Sequence, residues 1–310
     1  MNPSQSKTRV ILTGILVSNF VSLVLVGANK FLWVKLDSAG DDVLILSSFV
    51  LVPILVGIIS AYFWRNLHLK TWGYIGWSTL NTFIAIILSF LFLEEGAFCL
   101  IIVSPLILVF TVTGAFVGRV MFRQRNKTLK STVFGILLLA FIADTLSEHE
   151  HVRMVSDTMI VNAPIEKVWP LVVEYEPITA KENYWFFKIG LPSPVQSTVD
   201  GHHAGAGRKC IFSNGYVFDE KMIVYKPNEE LTFDITHQPR DPEIMGHIDI
   251  LRGQFLLKDN GDGTTTLIGN SWYKLYIFPG WYFDLWSESI TRNVHLRVME
   301  HIKMISENDV

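Results

Sequence analysis

The apolar positions of this chain follow two rhythms. Before Asp144 they come in long blocks; after it they come as short alternating runs broken by Gly, Pro, Asn and Asp. A helix crossing a hydrocarbon core of about 30 Å needs about 20 predominantly apolar residues. Four blocks meet that requirement: Val10–Ala28, Val43–Trp64, Trp72–Leu93 and Phe98–Val117. None holds a charged side chain, and their polar residues, among them Ser18, Asn19, Ser47, Ser48, Asn81, Thr111 and Thr113, can bond within or between helices. Trp33, Trp64, Trp72 and Trp77 fall near the block ends, where indole rings favour the headgroup region. The first block lacks a small-residue cleavage site and reads as a retained anchor. Pro53 and Pro105 read as packing kinks.

A fifth block, Ser131–Ala143, has two readings. Extended to Leu129–Leu146 it includes Lys130 and Asp144; Lys130 can snorkel, and the block then crosses. Otherwise it lies in the interface. With the N-terminus inside, the inner loops hold nine Lys/Arg and the outer loops two, which is the positive-inside asymmetry. Five crossings then put the C-terminal half on the outer face, and four put it in the cytoplasm. The expectation is a multi-pass bundle of four to five spans over residues 1–146, an N-terminus in the cytoplasm and a C-terminal domain on the outer face.

After a polar linker, residues 147–154, the period changes. Val155–Val161 alternates as a strand. Asn162 is placed to cap a helix that has Pro164 in its first turn and Val168, Trp169, Leu171 and Val172 on one face. Pro177 interrupts it, and Tyr184–Ile189 is a dense aromatic patch. Six strands follow: Ser193–Val199, Lys209–Ser213, Tyr216–Tyr225, Leu231–His237, Ile248–Lys258 and Thr264–Tyr276. A last helix, about Phe283–Glu307, carries Trp286, Ile290, Val294, Val298, Ile302 and Ile305 as one stripe. This order predicts an α+β domain over residues 155–310.

Composition narrows the function. A net charge of −3 with no basic stripe argues against nucleic-acid binding. The four clear blocks hold no ionisable group to mark an ion or proton path, and no inverted repeat is visible, so the membrane half reads as an anchor. Cys99 and Cys210 are too differently placed to form a disulfide.

Val161–Trp169 (Val-Asn-Ala-Pro-Ile-Glu-Lys-Val-Trp) resembles the opening of START-like, Bet v 1-like domains, the SRPBCC superfamily of polyketide cyclases/dehydrases and lipid-transport proteins. Ala204–Phe212 is similar to the Gly-x-Gly-x-Arg strand entry seen there, and Gly263–Leu267 before a long final helix fits as well. The resemblance covers about Val155 to Ile305 and implies a helix-grip fold, an antiparallel sheet wrapped around the C-terminal helix with an apolar cavity between them. Phe186, Phe212, Trp272, Tyr276 and Trp286 are candidate wall aromatics, beside Tyr184, Trp185, Phe187 and Trp281. Trp281, Tyr282 and Trp286 fit a membrane interface equally.

Strong catalytic motifs are absent from the sequence, and no cofactor or metal is expected. Arg208 suits an anionic ligand head or an ordinary ion pair. Cys210, two residues on, is either a thiol activated by that cation or a buried structural residue. His202 and His203 are adjacent and point to opposite sides of a strand, so they do not share a metal. His237 and His247 flank a Pro/Asp-rich loop. The leading expectation is a membrane-anchored START-like domain that binds a hydrophobic small molecule or lipid, with Phe186, Arg208, Cys210, Phe212, Trp272, Tyr276 and Trp286 at the ligand. An aromatase/cyclase-type enzyme and a protein-interaction module are the alternatives.

Overall fold

The long apolar blocks form helices: α1 (Pro3–Leu36), a π-helical turn (Ser47–Leu51) running into α2 (Val52–Trp64), α3 (Thr71–Phe92), α4 (Ala97–Arg123) and α5 (Lys127–Thr145). The structure, a computed structural model, describes residues 3–36, 47–93, 96–123, 127–145, 151–181, 183–239, 248–277 and 279–308. Half of the linker read at 147–154 (residues 147–150), the start of the second block and His247 with most of its loop lie outside them.

Among the described residues, three helical stretches are long and apolar enough to cross a membrane: Lys7–Ala28, Thr71–Phe92 and Ala97–Arg123. That is fewer than the four to five expected. Ser48–Trp64 and Ser131–Ile142 are shorter apolar helices. At 1.5 Å per residue, 17 residues reach about 26 Å and 12 about 18 Å.

The chain divides into two compact units, Met1–His149 with Ile277–Pro279, and Glu150–Tyr276 with Gly280–Val310. In the first unit, backbone proximity sets the packing of α2 on α4. A Cβ on Gly57 would sit 2.1 Å from the Thr111 carbonyl oxygen, and one on Gly114 would sit 2.1 Å from that of Ile54. Gly114 and Gly118 make a small-xxx-small face that admits this approach. A neutral polar cluster ties α1, α2 and α3 together. Asn19 donates to Asn81 Oδ1 at 2.5 Å, and Asn81 donates to Ser60 at 2.9 Å and to Ser18 at 3.2 Å. Leu16, Phe20, Phe83, Leu91 and Ile101 face outward.

Among the described residues, the second unit is built on one seven-stranded antiparallel sheet. Its elements are β1 (His151–Val161), α6 (Ile165–Val173), a short α7 (Trp185–Lys188), β2 (Pro194–Val199), β3 (Gly207–Phe212), β4 (Val217–Lys226), β5 (Glu230–His237), β6 (Ile248–Asp259), β7 (Thr265–Leu275) and α8 (Gly280–Asn308). The strand order is β1-β7-β6-β5-β4-β3-β2. Register shifts at Asp219/Glu220, Met222/Val224 and Ile250/Arg252 put bulges in β5, β4 and β6 and bend those strands. The sheet curls, and α8 packs on it through Val298, Met299 and Ile302 against Leu231, Phe233, Phe255, Leu257 and Leu267. The architecture is the expected α+β helix-grip arrangement.

Local details differ from the sequence pattern. β1 begins at His151, inside the segment read as linker, because β7 is long enough to pair His151 with Leu275. Pro164, not Asn162, caps α6; the Asn162 N–H is taken by Glu307 at 2.8 Å. Pro170 lies inside that helix, which ends at Val173, before Pro177. The aromatic patch contains the single-turn helix α7.

Candidate functional site

The inner faces of β3 to β7 and one side of α8 border a half-open cavity of about 180 Å³. Its wall is mainly apolar: Phe212, Phe218, Phe233, Ile235, Ile248, Ile250 and Phe255 from the sheet, and Ile290, Val294 and Val298 from the helix. Period-2 alternation on the strands and the three-to-four step on α8 aim these side chains inward. Two glycines shape the wall. A Cβ at Gly253 would meet the Phe233 ring at 2.4 Å, and one at Gly269 would meet Met299 Sδ at 2.7 Å.

Two polar clusters interrupt the apolar wall. In the first, β3 and β4 pair Arg208 with Glu220 across the ladder. The Arg208 guanidinium bonds the Glu220 carboxylate and donates through Nε to the Val173 carbonyl at 3.0 Å. It lies over the Phe233 ring at 4.7 Å. Arg208 and Glu220 are 3% and 6% exposed, so neither charge is shared with bulk water. Burial pushes the Glu220 carboxyl up, against the pull of the guanidinium. Beside them the Tyr175 hydroxyl lies 3.9 Å from Cys210 Sγ. Burial raises both acids, the thiol to about 12, so at neutral pH they remain protonated.

The second cluster joins β1, β7 and α8. Ser271 Oγ is 3.2 Å from His295 Nδ1, and His295 Nε2 is 2.5 Å from Asp157 Oδ2. Arg292 reaches the other oxygen of Asp157 at 3.1 Å. Burial pulls the His295 pKa down, Asp157 opposes that, and Arg292 adds to it.

Of the sequence-predicted residues, the structure brings Arg208, Cys210 and Phe212 together on the cavity wall. Arg208 takes the ion-pair reading and Cys210 the buried, unactivated one. The other four lie off this wall. Phe186 and Trp286 stack with Trp185 and Tyr282 in a separate aromatic group. Trp272 follows inward-facing Ser271 on β7 and so takes the opposite face of the sheet. Tyr276 lies just past the end of β7, where its hydroxyl donates to Asp249 at 2.8 Å. His202 sits 3.5 Å from Glu174 and His237 3.6 Å from Asp219, both at the surface. Among the described residues no group of three potential metal ligands occurs.

Tyr175, Glu220, Ser271 and His295 were not singled out by the sequence. Glu220 carried one signal, a charged residue at an inward position of an alternating strand. The others become neighbours only through pairings far apart in the chain.

No family model matches this chain, and no curated protein matches it. Similar solved structures correspond to about half of it. Norcoclaurine synthase from Thalictrum flavum is 9% identical, with 51% of this chain and 96% of that one covered and a TM-score of 0.36. The Zhui aromatase/cyclase from Streptomyces sp. R1128 is 13% identical, with 51% and 94% covered and a TM-score of 0.35. A protein from Nitrosospira multiformis is 17% identical, with 51% and 98% covered and a TM-score of 0.35. At such identities and scores the ligand has to be read from the cavity itself.

Proposed function

We propose that this chain is a membrane-anchored binding protein whose second unit holds a small hydrophobic ligand between its sheet and α8. The observation that carries the reading is the half-open, mainly apolar cavity of about 180 Å³. Drug-sized pockets measure about 300–1,000 Å³, whereas an apolar cavity of about 150 Å³ holds benzene. A single ring or a short acyl chain fits, and a whole diacyl lipid does not. Binding rather than turnover is favoured because Arg208 is already committed to Glu220 and the Cys210 thiol is not activated.

The anchor reading includes α2 and α5 as crossings. Only if α2 crosses do the basic residues after α4 fall on the same side as Lys7 and Arg9. Ile136, Leu138, Leu139, Phe141 and Ile142 are exposed around α5, which therefore lacks the polar face of an interfacial helix. Five crossings place the second unit on the outer face.

The binding test is full-length protein in phosphatidylcholine nanodiscs titrated with toluene. Saturable binding that Val294→Phe abolishes is expected; equal uptake by both proteins rejects the cavity as a ligand site. For the topology, a C-terminal reporter active on the cytoplasmic side rules out five crossings.

A further inference from the structure

We infer that the ligand is an uncharged ring or short chain bearing one hydrogen-bond donor, an O–H or N–H, and that the Ser271 hydroxyl receives it. This rests on the cavity being a ligand site and adds the chemical class that it selects.

The first ground is charge. The ionised groups at the wall are already neutralised by partners. Arg208 is bonded to Glu220 inside the cavity, and Arg252 at the wall is 2.7 Å from Asp234. Asp157, which backs His295, is held by Arg292, whose other arm bonds Glu288 at 3.0 Å. A carboxylate or ammonium entering this space would give up part of its hydration and find no free counter-charge among the described residues.

The second ground is the hydrogen-bond arithmetic of the other cluster. Asp157 is a carboxylate and only accepts, so His295 presents Nε2–H to it. The second ring nitrogen, Nδ1, is then the acceptor, and Ser271 gives it its only proton. The Ser271 oxygen keeps acceptor capacity and has no donor among the described residues. Both Ser271 and His295 line the cavity; His295 is 5% exposed and Ser271 is half-buried, so this acceptor opens onto the ligand space. A ligand donor completes the chain from ligand to Ser271, His295 and Asp157. A ligand with a capped oxygen leaves the acceptor unmatched.

Four probes of one ring each separate these points: toluene, phenol, anisole and benzoate, titrated into the full-length protein in phosphatidylcholine nanodiscs, with Val294→Phe subtracting uptake by lipid. Phenol is expected to bind about fivefold more tightly than toluene or anisole, the worth of one net hydrogen bond. Benzoate is expected to bind more weakly than any of them. Ser271→Ala should bring phenol level with toluene. The ranking in the unsubstituted protein decides the matter even if that variant folds poorly. Equal affinities for phenol, anisole and toluene overturn the donor inference and leave the cavity reading standing. Tightest binding by benzoate overturns the neutrality. Binding of no probe beyond that of Val294→Phe sinks the cavity reading itself.

Discussion

The two units bury polar groups in different ways. In the helical unit the interior carries neutral amides and hydroxyls, Ser18, Asn19, Ser60, Ser78, Asn81, Thr82 and Thr111, while Leu16, Phe20 and Phe83 face out. The sheet unit also buries hydroxyls, Ser197, Thr232 and Thr265 among them, but it adds ionised groups, above all the Arg208–Glu220 pair. In the membrane anchor proposed above, an apolar residue gains little by leaving lipid tails for a protein core, so such a unit would take its specificity from small residues and hydrogen bonds. The sheet unit folds by removing apolar surface from water, and it bears the desolvation of an ion pair only because the two charges meet.

The sharpest way to break this contrast is to remove one charge. Glu220→Gln leaves the Arg208 guanidinium buried and unpaired, and it is expected to cost about 3–5 kcal/mol. The double replacement Arg208→Met/Glu220→Leu should cost far less. Denaturant unfolding of the three proteins compares them, and equal losses would mean that the pair is not buried as described. In the helical unit, Gly114→Leu drives a side chain into the Ile54 backbone. A loss of roughly 3 kcal/mol or of folded protein is expected, read by monodispersity in detergent. Asn81→Leu removes the polar tie between α1, α2 and α3 at a cost of about 1 kcal/mol; a loss as large as that of Glu220→Gln would erase the distinction drawn here.

A pH series sharpens the sheet side. Burial lowers the pKa of His295, which faces Asp157, Arg292 and Ser271. It also lowers that of His301, which faces Tyr175 and Arg297. A depressed histidine contributes stability above its unfolded pKa of about 6.5, and that stability is lost as pH falls through the window below it. The unfolding midpoint is therefore expected to drop between pH 7.5 and pH 5.5. His295→Asn should flatten the drop, and an unchanged slope would remove His295 as its source.

Much of this fold is legible in the periodicity. The six strands after α6 lie within two residues of their expected ends, since alternation is a local property. The site was less so. Arg208, Cys210 and Phe212 are successive inward positions of one strand, and their alternation places them. Trp272 shows the limit, because aromatic character does not tell which face of a sheet a residue takes, and one step along β7 separates it from Ser271. Phe186 and Trp286 went to a separate aromatic group by the same ambiguity. The Ser271, His295 and Asp157 contacts span up to 138 residues and depend on how α8 lies across β1 and β7. No local pattern encodes that. In the helical unit, block length predicted crossings that α2 and α5 do not meet on their own.

The helix α8 works like a beam fixed at several points. Ile290, Val294 and Val298 face the cavity, Met299 and Ile302 belong to the core, and Lys303 donates to the Ile160 carbonyl at 2.6 Å. The wall cannot retreat to admit a larger guest without dragging core side chains and an edge-strand contact with it. In the proposed binding role, selectivity by size would therefore come from stiffness: a methylene added on the α8 side of a ligand would strain the same beam that closes the fold.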